Sequence, residues 1–170
     1  KINNKILKKY SKFFNVNKSK IIEYPVKIEN YLNSISKIIK KNNGIFLTFD
    51  YGYSDIVGKN TLRAIKKHKI VDLLKEYTDC DITFDINFNI LKNIFKKNNV
   101  RFIGAVSQNF FLQKLGIMER ASQIVKKQNV IDSKNLILSI NKLINPKEMG
   151  NTFKALAFCN KNCKFNLGFI

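Results

Sequence analysis

Apolar positions along the chain follow two rhythms. Between Val26 and Gly44 they fall at Ile28, Tyr31, Leu32, Ile35, Ile38 and Ile39, a three-and-four spacing that predicts an amphipathic helix. Lysines fill its last turns and Gly44 stands just past its end. The following IFLTFD, Ile45–Asp50, has little polar alternation and predicts a short strand covered on both faces. A second helix is predicted from Phe88, Leu91, Ile94 and Phe95, entered through a short extended stretch, DITFD. VRFIGAVSQ and NTFKALAFCN predict two more strands. Between them NFFLQKLGIMERASQIVKKQ and DSKNLILSINKLINP predict two helices, the second capped by Asp132 or Ser133 and ended by Pro146. IIEYP predicts a short strand closed by Pro25, because a residue before proline is pushed toward extended geometry. Residues 54–80 predict a loop with some helical character, and the basic first twenty a helix followed by a loop.

Strands alternating with helices make an α/β pattern. Three clear strands fall short of the ~5–6 of an average sheet, so the pattern predicts part of a larger one. No repeat or low-complexity linker divides the chain. The organisation expected is one partial domain over residues 1–170: a basic lead-in at 1–22, the body at 23–160 and a tail at 161–170.

Composition adds a formal charge of +19, but only Arg63, Arg101 and Arg120 are arginines among 31 basic residues. The excess is lysine, accompanied by Asn and Ile, all encoded by A/T-rich codons. Mutational drift explains it, and a dedicated nucleic-acid surface would draw on arginine; nucleic acid is therefore not the favoured partner. Cys80, Cys159 and Cys163 are an odd set with no nearby histidine, which argues against a zinc site or a disulfide framework and for a reducing, cytoplasmic setting. No apolar run reaches the ~18 residues of a membrane span. The first residue is Lys, which fits either a processed start or a piece of a longer chain.

Candidate chemistry gathers at a few places. Asp50, Tyr51, Gly52 and Tyr53 end the IFLTFD strand, where ligands of open α/β sheets bind. Gly52 suits a sharp turn or a close approach to a ligand. Arg63 and His68, the one histidine, lie five positions apart and would not share a helix face. Asp81, Thr83 and Asp85 share one face of an extended stretch in the only acidic cluster. That cluster suits either gripping a guanidinium or ammonium group, or capping the next helix. The chain has no Gly-x-Gly-x-x-Gly, P-loop, Gly-x-Ser-x-Gly or His-Glu-x-x-His motif.

Taken in order, GIFLTFDYGY, TLRAIKKHK, DITFDINF, SQNFFLQKLGIMERA and NPKEMGNTFKALAF resemble the C-terminal half of the MidA-like family of S-adenosylmethionine-dependent methyltransferases. That family includes the mitochondrial arginine methyltransferase that assists respiratory complex I assembly. The resemblance covers about Glu23 to Phe158. It implies a class I (Rossmann-like) sheet with IFLTFD as fifth strand, VRFIGAV as sixth and FKALAF as an antiparallel seventh. It implies catalytic roles for Asp50, Tyr51, Gly52 and His68, and substrate contacts for Arg63, Asp81, Thr83, Asp85 and Gln108. The methyl donor's glycine-rich loop belongs to the family's N-terminal half. The expectations are therefore no cofactor binding by this chain alone, a protein arginine substrate, and a complementary N-terminal half or self-association at an exposed sheet edge. A mitochondrial location replaces the cytoplasmic one if the source is eukaryotic. Asn87 stands where the family often has Asp. The other readings kept open are a silent split-gene product and a lysine-rich module for RNA or acidic protein.

Overall fold

The structure is a computed structural model that describes residues 4, 8, 10, 11, 13–76, 78–127 and 129–170. The helix expected at the start of the chain falls mostly outside these residues. Helix α1 is Ile28–Asn42, and its left-handed closing residue is Asn43 (φ 54°) rather than Gly44. Strand β1, Ile45–Tyr53, runs three residues beyond the predicted end. The expected loop at 54–80 contains instead a hairpin, β2 (Arg63–Lys66) and β3 (Lys69–Val71), and a single turn of helix, α2 (Leu73–Glu76). Lys67 and His68 make the hairpin turn with positive φ, without the Asn-Gly signature that marks such turns in sequence.

Strands β4 (Asp81–Thr83) and β5 (Ile86–Asn87) precede helix α3, Phe88–Lys97. Then come β6 (Arg101–Ser107), α4 (Gln108–Lys114), α5 (Ile117–Val125), α6 (Val130–Ile144), α7 (Met149–Thr152) and β7 (Phe153–Cys159). The first of the two predicted helices is broken into α4 and α5 at Gly116 (φ 77°). The cap of α6 is Asn129, whose side chain accepts the Asp132 N–H at 2.9 Å; neither Asp132 nor Ser133 caps it. Residues 21–25 pair with no strand, so the one expected in IIEYP is absent.

The main sheet has the order β5-β1-β7-β6, with β7 antiparallel to both neighbours and β5 parallel to β1. Strand β7 is buried on both sides. Leu156 and Phe158 point into a core built by α1, α3, Tyr10, Phe13 and Phe14, where Phe158 stacks on Phe95 at 4.2 Å. Ala155 and Ala157 point the other way, onto Phe111 and Phe169. The supposed lead-in and tail thus both supply core residues.

Strand β1 departs from the expectation of burial on both faces. Phe46 joins the first core, whereas Ile45, Leu47 and Phe49 alternate with it and remain 42%, 41% and 38% exposed. On the side opposite β7, β1 pairs only at Gly52 and Tyr53, so Ile45–Tyr51 is an open edge among the described residues. A second sheet, β3-β2-β4, stands beside the carboxyl end of β1.

Candidate functional site

The two sheets enclose a cleft of about 400 Å3. Tyr51, Gly52 and Phe153 line it from the main sheet and Thr152 from the end of α7; Arg63, Ile65 and Thr83 line it from the small sheet, with Asp85 at the join. Register explains the second wall. Arg63 pairs with Thr83 across the β2–β4 ladder, and directly opposed residues in antiparallel strands project to the same face.

The guanidinium of Arg63 donates from Nη2 to Oδ1 of Asp85 in a short ion pair. The same group lies 5.7 Å from the centre of the Tyr51 ring, within cation–π range. Tyr51 is braced by Phe153, edge to face at 5.5 Å. Asp85 is held by a relay of hydrogen bonds: its backbone N–H donates to the Thr61 hydroxyl at 2.9 Å, and that hydroxyl donates to Glu23 at 2.5 Å. Glu23 also accepts the backbone N–H groups of Thr61 (2.7 Å) and Leu62 (2.9 Å), fixing the entry into β2. One donor has no acceptor: Nε of Arg63 is buried without a partner among the described residues.

Asp50 lies inside β1, opposite Lys154, and is not among the residues that line the cleft. Its carboxylate accepts the Tyr51 N–H at 2.9 Å. Burial pushes its pKa above the usual range; the hydrogen bond from Tyr51 opposes this, and the charge of Asp85 adds to it. Gly52 faces a neighbouring strand rather than a ligand. A Cβ there would sit 2.0 Å from the Ile86 carbonyl oxygen, so glycine is what allows β5 to pair so closely.

The other predicted residues lie apart. His68 is exposed at the hairpin turn. Asp81, opposite Ile65, is exposed and outside the cleft lining. Gln108 is buried, donating to the Leu143 carbonyl at 2.8 Å, and ties α4 to α6. The acidic stretch does not cap α3 either. Asn87 does so, accepting from Asn89 N–H at 3.0 Å while its amide donates to the Asp55 carbonyl at 3.1 Å. A carboxylate at 87 would lack that donor.

Sequence reasoning missed Glu23, Thr61, Thr152 and Phe153. Thr61 and Glu23 are separated by 38 positions, and no local pattern joins them. Thr152 and Phe153 mark a helix-to-strand junction that periodicity alone does not place near Tyr51.

Two parallel strands flanking a reversed last strand, with a cleft beyond their carboxyl ends, define the C-terminal part of a class I, Rossmann-like methyltransferase sheet. Residues 1–106 match the family described as "Putative S-adenosyl-L-methionine-dependent methyltransferase", and the chain belongs to that family. It is 30% identical over 137 residues to the mitochondrial protein arginine methyltransferase NDUFAF7 homolog of Drosophila melanogaster, covering 80% of this chain and 31% of that one. It is 30% identical over 127 residues to the human protein of that name, covering 74% and 28%. The chain thus spans about a third of the length of the curated relatives it matches. A Burkholderia thailandensis protein solved with S-adenosyl-homocysteine bound superposes with a TM-score of 0.67 at 21% identity, over 82% of this chain and 37% of that one.

The residues present are a poor cradle for the adenosyl donor. No glycine-rich turn follows a strand, and the one glycine of the cleft is closed off by the Ile86 carbonyl. A carboxylate, an aromatic face and threonine hydroxyls suit the acceptor side of methyl transfer.

Proposed function

We propose that this chain is the acceptor-side portion of a protein arginine methyltransferase, a single partial catalytic domain completed by an N-terminal half that holds S-adenosylmethionine. The observation that carries this reading is that Asp85 and Tyr51 line one cleft and both meet a single guanidinium there, that of Arg63. Carboxylates grip a guanidinium through charge-assisted hydrogen bonds, and an aromatic face accepts its flat cation. Asp85 and Tyr51 would orient the acceptor nitrogen, with Thr83 and Thr152 as further polar contacts along the walls. Alignment of this kind supplies much of the rate in a transfer reaction. When bound, the donor supplies an electrophilic methyl group. The names of the relatives support arginine as acceptor and a mitochondrial place of work, and the family resemblance adds a link to respiratory complex I assembly.

The open edge and apolar face of β1 suit the complementary half, or a second copy of the chain in its absence. The test is methyl transfer to arginine peptides by the chain mixed with the N-terminal half of a family member. Methylated arginine is expected only from the mixture. Asp85→Asn should lower the rate about 100-fold, on the scale of a lost charge-assisted contact to the reacting group. Unchanged transfer by Asp85→Asn, or methylation of lysine instead, would refute the reading.

A further inference from the structure

The pair of groups suited to an acceptor guanidinium already holds one. Arg63 lies on Asp85 and over Tyr51, in the cleft such an acceptor would enter. Its seat is imperfect. One nitrogen, Nε, is buried with no acceptor among the described residues, and the side chain as a whole is 42% exposed, so water reaches it from one side. The backbone of Asp85, in contrast, is tied through Thr61 to Glu23, which fixes where its side chain starts independently of Arg63. Among the described residues no such relay holds the guanidinium itself, which meets Asp85 and the ring.

We propose that Arg63 is an intramolecular stand-in for the acceptor, occupying the carboxylate-and-ring seat until an incoming guanidinium displaces it. The inference rests on the arginine-acceptor reading and adds how that site is kept closed. Entry then exchanges one guanidinium for another with no net change in the charge held by Asp85. A group that pairs less well with a carboxylate is excluded by competition, because an ammonium lacks the planar fork. A seat filled about nine-tenths of the time by Arg63 lowers the apparent affinity for any competitor about tenfold.

The experiment is an NMR titration of the full chain with blocked arginine, N-acetyl-arginine methylamide, and with the corresponding blocked lysine. Arg63→Met should bind the arginine probe about tenfold more tightly than the parent chain. Adding Asp85→Asn to that variant should remove the gain. Arg63→Lys keeps a cation on Asp85, guarding against loss of fold, and should show a smaller gain. If Arg63→Met binds arginine no better than the parent, or worse, Arg63 is a brace for Asp85 and the stand-in is overturned. If the gain is as large for lysine, the stand-in survives and the arginine reading falls.

Discussion

Gly52 shows how one residue links packing to the site. It carries no unusual φ, yet the Ile86 carbonyl oxygen fills the space of its missing side chain. Gly52→Ala should therefore destabilise the chain by about 1–3 kcal/mol in urea, the range for forcing atoms into a packed contact. Gly44→Ala meets nothing nearer than 3.8 Å and serves as the near-neutral control. Asp50 makes a pH-dependent contribution. Its folded pKa is raised, chiefly by burial, so the unfolded chain ionises first as pH rises. Stability that is fully present below the ordinary carboxylate pKa is then lost as pH climbs through the raised value. Asp50→Asn keeps the acceptor for Tyr51 N–H and removes this loss. Thermal melts should show the variant and parent alike in acid, with the variant higher at neutral pH. The three residues of the Asp-Tyr-Gly run part in the structure: Tyr51 lines the cleft, Gly52 admits β5, and Asp50 lies inside the strand.

Among the elements, β7 anchors both cores, whereas β1 gives Phe46 to the first and meets the second through the half-exposed Phe49 on Phe111. Phe158→Ala removes the ring stacked on Phe95 and should cost about 3–5 kcal/mol by denaturant unfolding. Leu47 lies on the exposed face of β1, so Leu47→Lys should leave the melt of the isolated chain unchanged. The same change should abolish self-association, or pairing with the complementary half, in sedimentation velocity; persistence of either would show that this face is not the seat. Long periodic segments announced α1, α3, β1, β6 and β7, because each has a whole face to bury. The hairpin of β2 and β3 did not announce itself. Its strands are four and three residues long, its turn is Lys67-His68, and Ala64 is its one buried side chain, with Lys66 paired to Glu76 and Asp79 at the surface. The tail was equally silent, since Phe165 and Phe169 find their place only against a neighbouring strand face.

For the molecule as a whole, strand order was legible from resemblance and site geometry was not. Glu23, Thr61, Asp85 and Phe153 meet because three distant loops converge at one end of the sheet, and no spacing rule joins positions so far apart. The fold brings the candidates Tyr51, Gly52, Arg63, Thr83 and Asp85 together and sends the others elsewhere. His68 went to a turn, Asp81 to the outer end of a strand, and Gln108 beneath a helix. On the proposed reading, what assembles serves the acceptor and the N-terminal half holds the donor. Calorimetric titration of S-adenosyl-homocysteine tests that division most directly, first into this chain alone and then into its complex with an N-terminal half. No measurable heat is expected from the chain alone and saturable binding from the complex; micromolar binding by the chain alone would overturn that division.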